Sequence, residues 1–182
     1  MTRPRRNLLF ILLFVGAALF FAPRLPDVVL WPAAGLGAAL IAVSFAAGRH
    51  LFKGRSLMSQ GKWDDAALEL AAFEQEQSQP GWRRRLAFLF VGTFSSNGLA
   101  VARATLGALR LEQGRLDEAE RHLTRALEAD AGYAVPHANL ALLAARRGDA
   151  ATAETHRAHA HRLGFRRRSF DAALKAALAR KS

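Results

Sequence analysis

The chain contains no cysteine among its 182 residues, which excludes both a disulfide framework and a thiolate metal site. Acidic groups are scarce as well: 15 Asp and Glu stand against 26 Lys and Arg, a formal charge of +11. Those carboxylates gather in short runs, Asp64-Asp65 and Asp117-Glu118 with Glu120, which suit helix starts, where the backbone N–H groups leave partial positive charge. Motifs that carry chemistry are missing too. The sequence has no nucleophile elbow, Walker loop, Rossmann fingerprint or zincin pair, and no nucleophile, base and orienting group at suggestive spacing. The expectation is a protein that is not an enzyme and carries no cofactor.

What the chain does have, first, is two apolar stretches. Leu8 to Ala22 is free of charge, but its 15 residues reach only about 22 Å as a helix, short of a hydrocarbon core of roughly 30 Å. Flanking residues or local thinning close that gap. Val28 to Gly48 is long enough unaided, with Pro32 expected in its first turn, where a missing N–H costs little, and Trp31 as an interfacial anchor. Between them, Pro23-Arg24-Leu25-Pro26-Asp27 suffices only for a turn, so the two stretches read as a transmembrane helical hairpin of helices 8–22 and 28–48. Arg3, Arg5 and Arg6 precede it, Arg49, Lys53 and Arg55 follow it, and only Arg24 lies in the turn. That bias places both termini in the cytoplasm and the anchor in the inner (plasma) membrane. A signal peptide is the rival, although Phe20 is a poor residue three positions before a cut after Ala22. Basic residues beside a membrane also account for much of the charge and the pI near 11.5, so no nucleic acid partner is expected.

Behind the anchor, Leu106, Leu140 and Leu174 recur at a step of 34 residues, together with Gly114 and Gly148, Ala119 and Ala153, Ala126 and Ala160. This step is the length of one helix-turn-helix unit. The pattern resembles the tetratricopeptide repeat, best in residues 100–133, where Leu106-Gly107 stands for the family's Leu-Gly pair and Gly114 for the turn. Gly107, Ala119 and Ala126 are then expected where paired helices come closest, with Leu106, Leu111, Leu116, Leu123 and Leu127 as buried filling. Residues 134–167 form a degenerate copy in which Ala150 replaces Leu116 and Arg157 replaces Leu123, leaving its second helix less buried. A weaker first copy covers 49–80, because Gly61-Lys62-Trp63-Asp64-Asp65-Ala66 reads in phase with Gly114-Arg115-Leu116-Asp117-Glu118-Ala119. Arg103 and His137 stand where the family has Trp. With no linker after the second stretch, one helix is expected from about Val28 to Ser59.

Residues 81–99 interrupt the repeats as an insertion helix and loop, with Trp82 and Arg83 to Arg85 ahead of Leu86 to Val91. It either lies at the membrane interface or packs on the repeats. Residues 168–182 read as a capping helix with Ser169 as N-cap, a Phe170, Leu174, Leu178 stripe inward, and Asp171, Lys175 and Arg180 in water. Arg166-Arg167-Arg168 reads as a solvated connector. Five of the six histidines lie after residue 120. His156 and His159 share a helix face with His122 as the equivalent in the previous copy, but His161 points elsewhere with no evident carboxylate, so no metal site is assigned.

The whole is therefore expected to be all-α, a membrane hairpin followed by a short solenoid. The resemblance implies a concave wall formed by the first helix of each repeat and used to bind protein. Carried onto this chain, that wall comprises Val101, Ala104, Ala108, Val135, Ala138, Asn139, Leu142 and Ala145. It is apolar, and only Asn139 and Arg146 match the residues with which the family binds a peptide carboxylate. An apolar helix of a partner, or a second copy of the chain, fits better; the chain's own segment 82–94 is the alternative occupant. The expected function is that of a membrane-anchored scaffold, alongside two others: an accessory subunit of a membrane enzyme or transporter, and a basic binder of membrane surfaces or nucleic acid.

Overall fold

The computed structural model describes residues 27–85 and 95–179. All regular structure among them is helical: α1 (Asp27–Ser59), α2 (Trp63–Ser78), the short α3 (Trp82–Arg85), α4 (Gly98–Glu112), α5 (Leu116–Ala129), α6 (Ala134–Arg147), α7 (Ala150–Arg162) and α8 (Arg168–Ala179). The first apolar stretch, the turn after it, the apolar part of the insertion at 86–94 and Arg180 lie outside the described residues.

Consecutive helices pack in pairs, α1 on α2, α4 on α5 and α6 on α7, and each pair leans on the next through α2 with α4 and α5 with α6. The three turns within these pairs are built alike. Lys62, Arg115 and Asp149 donate their backbone N–H to the carbonyls of Leu57, Arg110 and Ala144, while Gly61, Gly114 and Gly148 have φ of 74°, 74° and 88°. Left-handed backbone of this kind is open to glycine and strained for other residues. The turns thus repeat at offsets of 53 and 34 residues, as the sequence spacing predicts, and the fold is helical and repeat-like.

Side chains follow the same offsets. A Cβ on Gly107 would stand 2.7 Å from Leu123 Cγ, and one on Gly54 would stand 2.8 Å from Leu70 Cγ, so each glycine lets a leucine of the second helix approach the backbone of the first. Leu106, Leu111, Leu123, Ala119 and Ala126 are buried as expected, whereas Leu116 and Leu127 are half-exposed. In α7 only Ala153 and Ala160 are buried, and Arg157 pairs with Glu154 and Asp171.

Helix α1 is continuous through residue 48, so the expected boundary between anchor and first repeat falls inside a single 33-residue helix, about 50 Å long. Its two parts differ. Trp31, Leu36 and Phe45 are largely exposed, while Ala47 and Leu51 are fully buried against α2. Gly35–Ser59 is long and apolar enough, by length and composition, to cross a membrane. Pro32 sits inside the helix, beyond the first turn, where its missing N–H leaves the Val28 carbonyl without its helical donor.

The end of the insertion is tied to the repeats, and two residues of the tail, Ser169 and Asp171, differ from expectation. Asn97 caps α4, accepting from the N–H groups of Leu99 and Ala100, and its Nδ2 donates to the Ala129 carbonyl at 2.8 Å; the polar break after the insertion therefore ties α4 to the end of α5. The last helix starts at Arg168, so Ser169 lies in its first turn and is not the N-cap. Phe170 and Leu174 are buried, as the stripe predicts. Asp171 does not simply face water but lies 3.1 Å from His161 Nε2 and 3.5 Å from Arg157. In the connector, the Arg167 guanidinium stacks 5.3 Å from the centre of the Phe165 ring.

Candidate protein-binding groove

Helix pairs with short turns place every first helix on one side. There, α1, α4 and α6 enclose an open groove of about 470 Å³, lined by Arg55, Met58 and Ser59, by Ala104, Thr105, Ala108 and Glu112, and by Val135 and Asn139, together with Trp63 and Tyr133. Small residues on α4 keep its floor low. Bulk comes from Met58, Trp63 and Val135.

Of the eight residues expected on this wall, Ala104, Ala108, Val135 and Asn139 line it. Val101, Ala138 and Ala145 are instead buried between helices, and Leu142 fills the seam between the second and third pairs, touching both apolar clusters there. The reason is helical geometry. Positions three and four apart share a face, but only the outermost strip of that face stays open when the neighbouring first helix closes against it. The sequence reading missed Arg55, Met58 and Ser59, because it began the wall at residue 101. The 53-residue offset was the available signal, since it carries Ala108 onto Arg55 and Glu112 onto Ser59.

Charge in the groove is mixed. Glu112 Oε1 is 3.5 Å from Arg146, whose guanidinium also donates to the Leu111 carbonyl. Arg55 is exposed and makes no ion pair among the described residues. Tyr133 is buried, which pushes its hydroxyl up to about 12, so it stays a neutral donor and acceptor. Polar groups along the groove are thus the Arg55 guanidinium, the Asn139 amide and the Glu112 carboxylate beside an apolar lining.

Beside α2 the basic residues of α1 are mostly engaged. Lys53 Nζ and His50 Nδ1 approach Glu69 at 2.6 and 2.7 Å, and Arg49 reaches Glu76 at 3.9 Å. The Lys53 and His50 hydrogen bonds hold the Glu69 carboxyl below its ordinary range. Asp64, Asp65, Asp117 and Glu118 occupy first turns as expected, and Asp117 and Glu120 also receive Arg147 of α6 at 2.6 and 2.7 Å.

Arg103 and His137, where tryptophan was expected, are tied polar residues. Arg103 donates to Glu74 at 2.9 Å and to the Arg125 carbonyl at 3.2 Å. His137 meets His156, so the histidine that joins the α7 tract comes from α6 and not from His122. No three His, Asp or Glu side chains among the described residues stand in an arrangement that would hold a metal ion. No family model and no curated protein matches the chain.

Proposed function

We propose that this chain is a membrane-anchored scaffold of the tetratricopeptide-repeat type, which binds a protein segment in the groove between α1, α4 and α6 and performs no reaction. The observation that carries the reading is continuity: the helix that supplies Arg55, Met58 and Ser59 to the groove is the same helix whose earlier half exposes Trp31, Leu36 and Phe45. Exposed aromatic and aliphatic side chains on that half are stable in lipid. The groove is then held a fixed distance from the bilayer by a rigid helix, without a flexible tether. This reading ends the membrane segment near Gly48, supported by the burial of Ala47 and Leu51 and the pairing of Arg49 and Lys53 with α2. With the first apolar stretch as its partner helix, both termini and all the repeats face the cytoplasm.

Repetition of the turns at offsets of 53 and 34, and of the glycine–leucine approach at 53, supports the family reading; the absent tryptophans are its main departure. The apolar floor favours an amphipathic helix or extended segment that buries small aliphatic side chains between Met58, Ala108 and Val135. The test is recovery of partners from membranes solubilised in mild detergent, comparing the wild-type chain with Ala108→Glu and Arg55→Glu. Both positions border the groove with room to change, so the variants are expected to fold and to lose partners. Unchanged recovery by both would remove the groove from the function.

A second reading follows from the exposed apolar half of α1, which suits contact with another transmembrane protein as well as lipid. In that case the chain is an accessory subunit of a membrane complex. Partners retained by the groove variants but lost on replacing residues 1–48 with an unrelated membrane anchor would favour it.

A further inference from the structure

The fold joins the histidines of α7 to one from another helix. Nδ1 of His137, on α6, lies 3.1 Å from Nδ1 of His156, and its ring centre is 5.3 Å from that of His156 and 5.1 Å from that of His159. Three half-buried imidazoles thus line the seam that holds the third helix pair together. When one Nδ1 carries a hydrogen and the other does not, the close contact is a hydrogen bond. When both rings are protonated, each Nδ1 is a donor and neither can accept, so two N–H groups of like charge face each other across the seam.

The surroundings offer little relief. From α7 come His156, His159 and Arg162, and every charge influence on His137 from these groups disfavours its protonated form. From α5 comes Glu120, which acts on His156 and already holds Arg147 at 2.7 Å. Carboxylates of the other neighbours are engaged elsewhere, Glu112 of α4 by Arg146 and Asp171 of α8 by Arg157 and His161, while Lys175 of α8 is exposed. Burial first and the neighbouring cations next push His137 down to about 4; burial and then His159 lower His156 as well.

We propose that the His137–His156 contact, with the His159 ring packed beside it, makes the seam between α6 and α7 an acid-released catch, closed while that contact holds a neutral ring and opened when both rings are protonated. An opened seam returns His137 to the ordinary histidine value of 6.5 from about 4, so the open form takes up the proton first. Closure is fully favoured above pH 6.5 and weakens as the pH falls from there towards 4. At pH 5.5 His137 alone shifts the balance by at most about ten-fold. Val135 and Asn139, two residues to either side of His137, line the groove, so its wall loses its backing over the same range. That consequence rests on the groove reading; release of α7 does not.

The experiment is amide hydrogen exchange on the full chain in detergent micelles at pH 7.5 and 5.5, corrected for intrinsic exchange rates. Amides of residues 150–162 should exchange several-fold faster at pH 5.5 than at pH 7.5, relative to those of α4 and α5. The double variant His137→Gln with His156→Gln should lose that difference. Equal protection of α7 at the two pH values, or an undiminished difference in a folded double variant, overturns the catch. If the double variant is unfolded at pH 7.5, the ring titration of His137 in the wild-type chain by NMR decides: a midpoint below about 5 upholds the proposal, and one at or above 6.5 overturns it.

Discussion

Gly107 and Gly114 lie in one helix pair and are glycine for unrelated reasons. Gly107 has no room for a Cβ, because Leu123 Cγ and the Ala119 carbonyl would be 2.7 and 3.2 Å away. Around Gly114 there is open space, but φ is +74°. Gly107→Val should therefore cost about 1–3 kcal/mol through overpacking, and Gly114→Ala about 1 kcal/mol through backbone strain alone. Urea titration of both variants in the same detergent separates them. The larger loss should belong to Gly107→Val, and the reverse order would mean that the closeness of α4 to α5 is not what stabilises the pair. Both positions were legible from the repeat spacing. The polar roles of Arg103 and His137 were not, since their partners Glu74 and His156 lie 29 and 19 residues away in sequence.

Among the elements, α8 and α1 show how far pattern reaches. The stripe of Phe170, Leu174 and Leu178 marked α8 as a cover for the last pair, and its contacts with α6 agree. Leu174 is 3 % exposed, so Leu174→Ala should cost about 2–4 kcal/mol through a cavity that a short helix cannot collapse around. Leu178→Ala, half-exposed, should cost clearly less, and thermal unfolding followed by circular dichroism compares them. For α1 the apolar composition and the lack of a linker foretold a helix across residue 48. They did not say where exposed surface gives way to protein-facing surface; that depends on α2, which covers Ala47 and Leu51. Pairing of the exposed Arg49 and Lys53 with Glu76 and Glu69 also shows why a charge count beside an apolar stretch is a loose guide. Part of that charge is balanced by carboxylates of α2.

For the molecule as a whole, absence of cysteine makes topology accessible to a clean test. On the proposed arrangement, Ser182→Cys should react with an impermeant maleimide only when the cytoplasmic face is exposed, and Arg24→Cys only from the opposite face. Labelling of both from the same side would exclude a hairpin with cytoplasmic termini. Association of the three pairs through successive neighbours further implies that damage in α7 or α8 should leave α1, α2, α4 and α5 protected, as stacked units depend mainly on adjacent ones. In the same way, acid should act first on the third pair, where the histidines are.

The sequence by itself determined the helical class, the two offsets, the turn glycines, the small residues at helix contacts and the long apolar helix, because each is encoded by spacing along one or two adjacent helices. Tertiary structure alone decided which half of the expected wall stays open, that α1 contributes to it, and that His137 joins His156 and His159. These depend on how closely separate pairs approach, and no local period carries that distance.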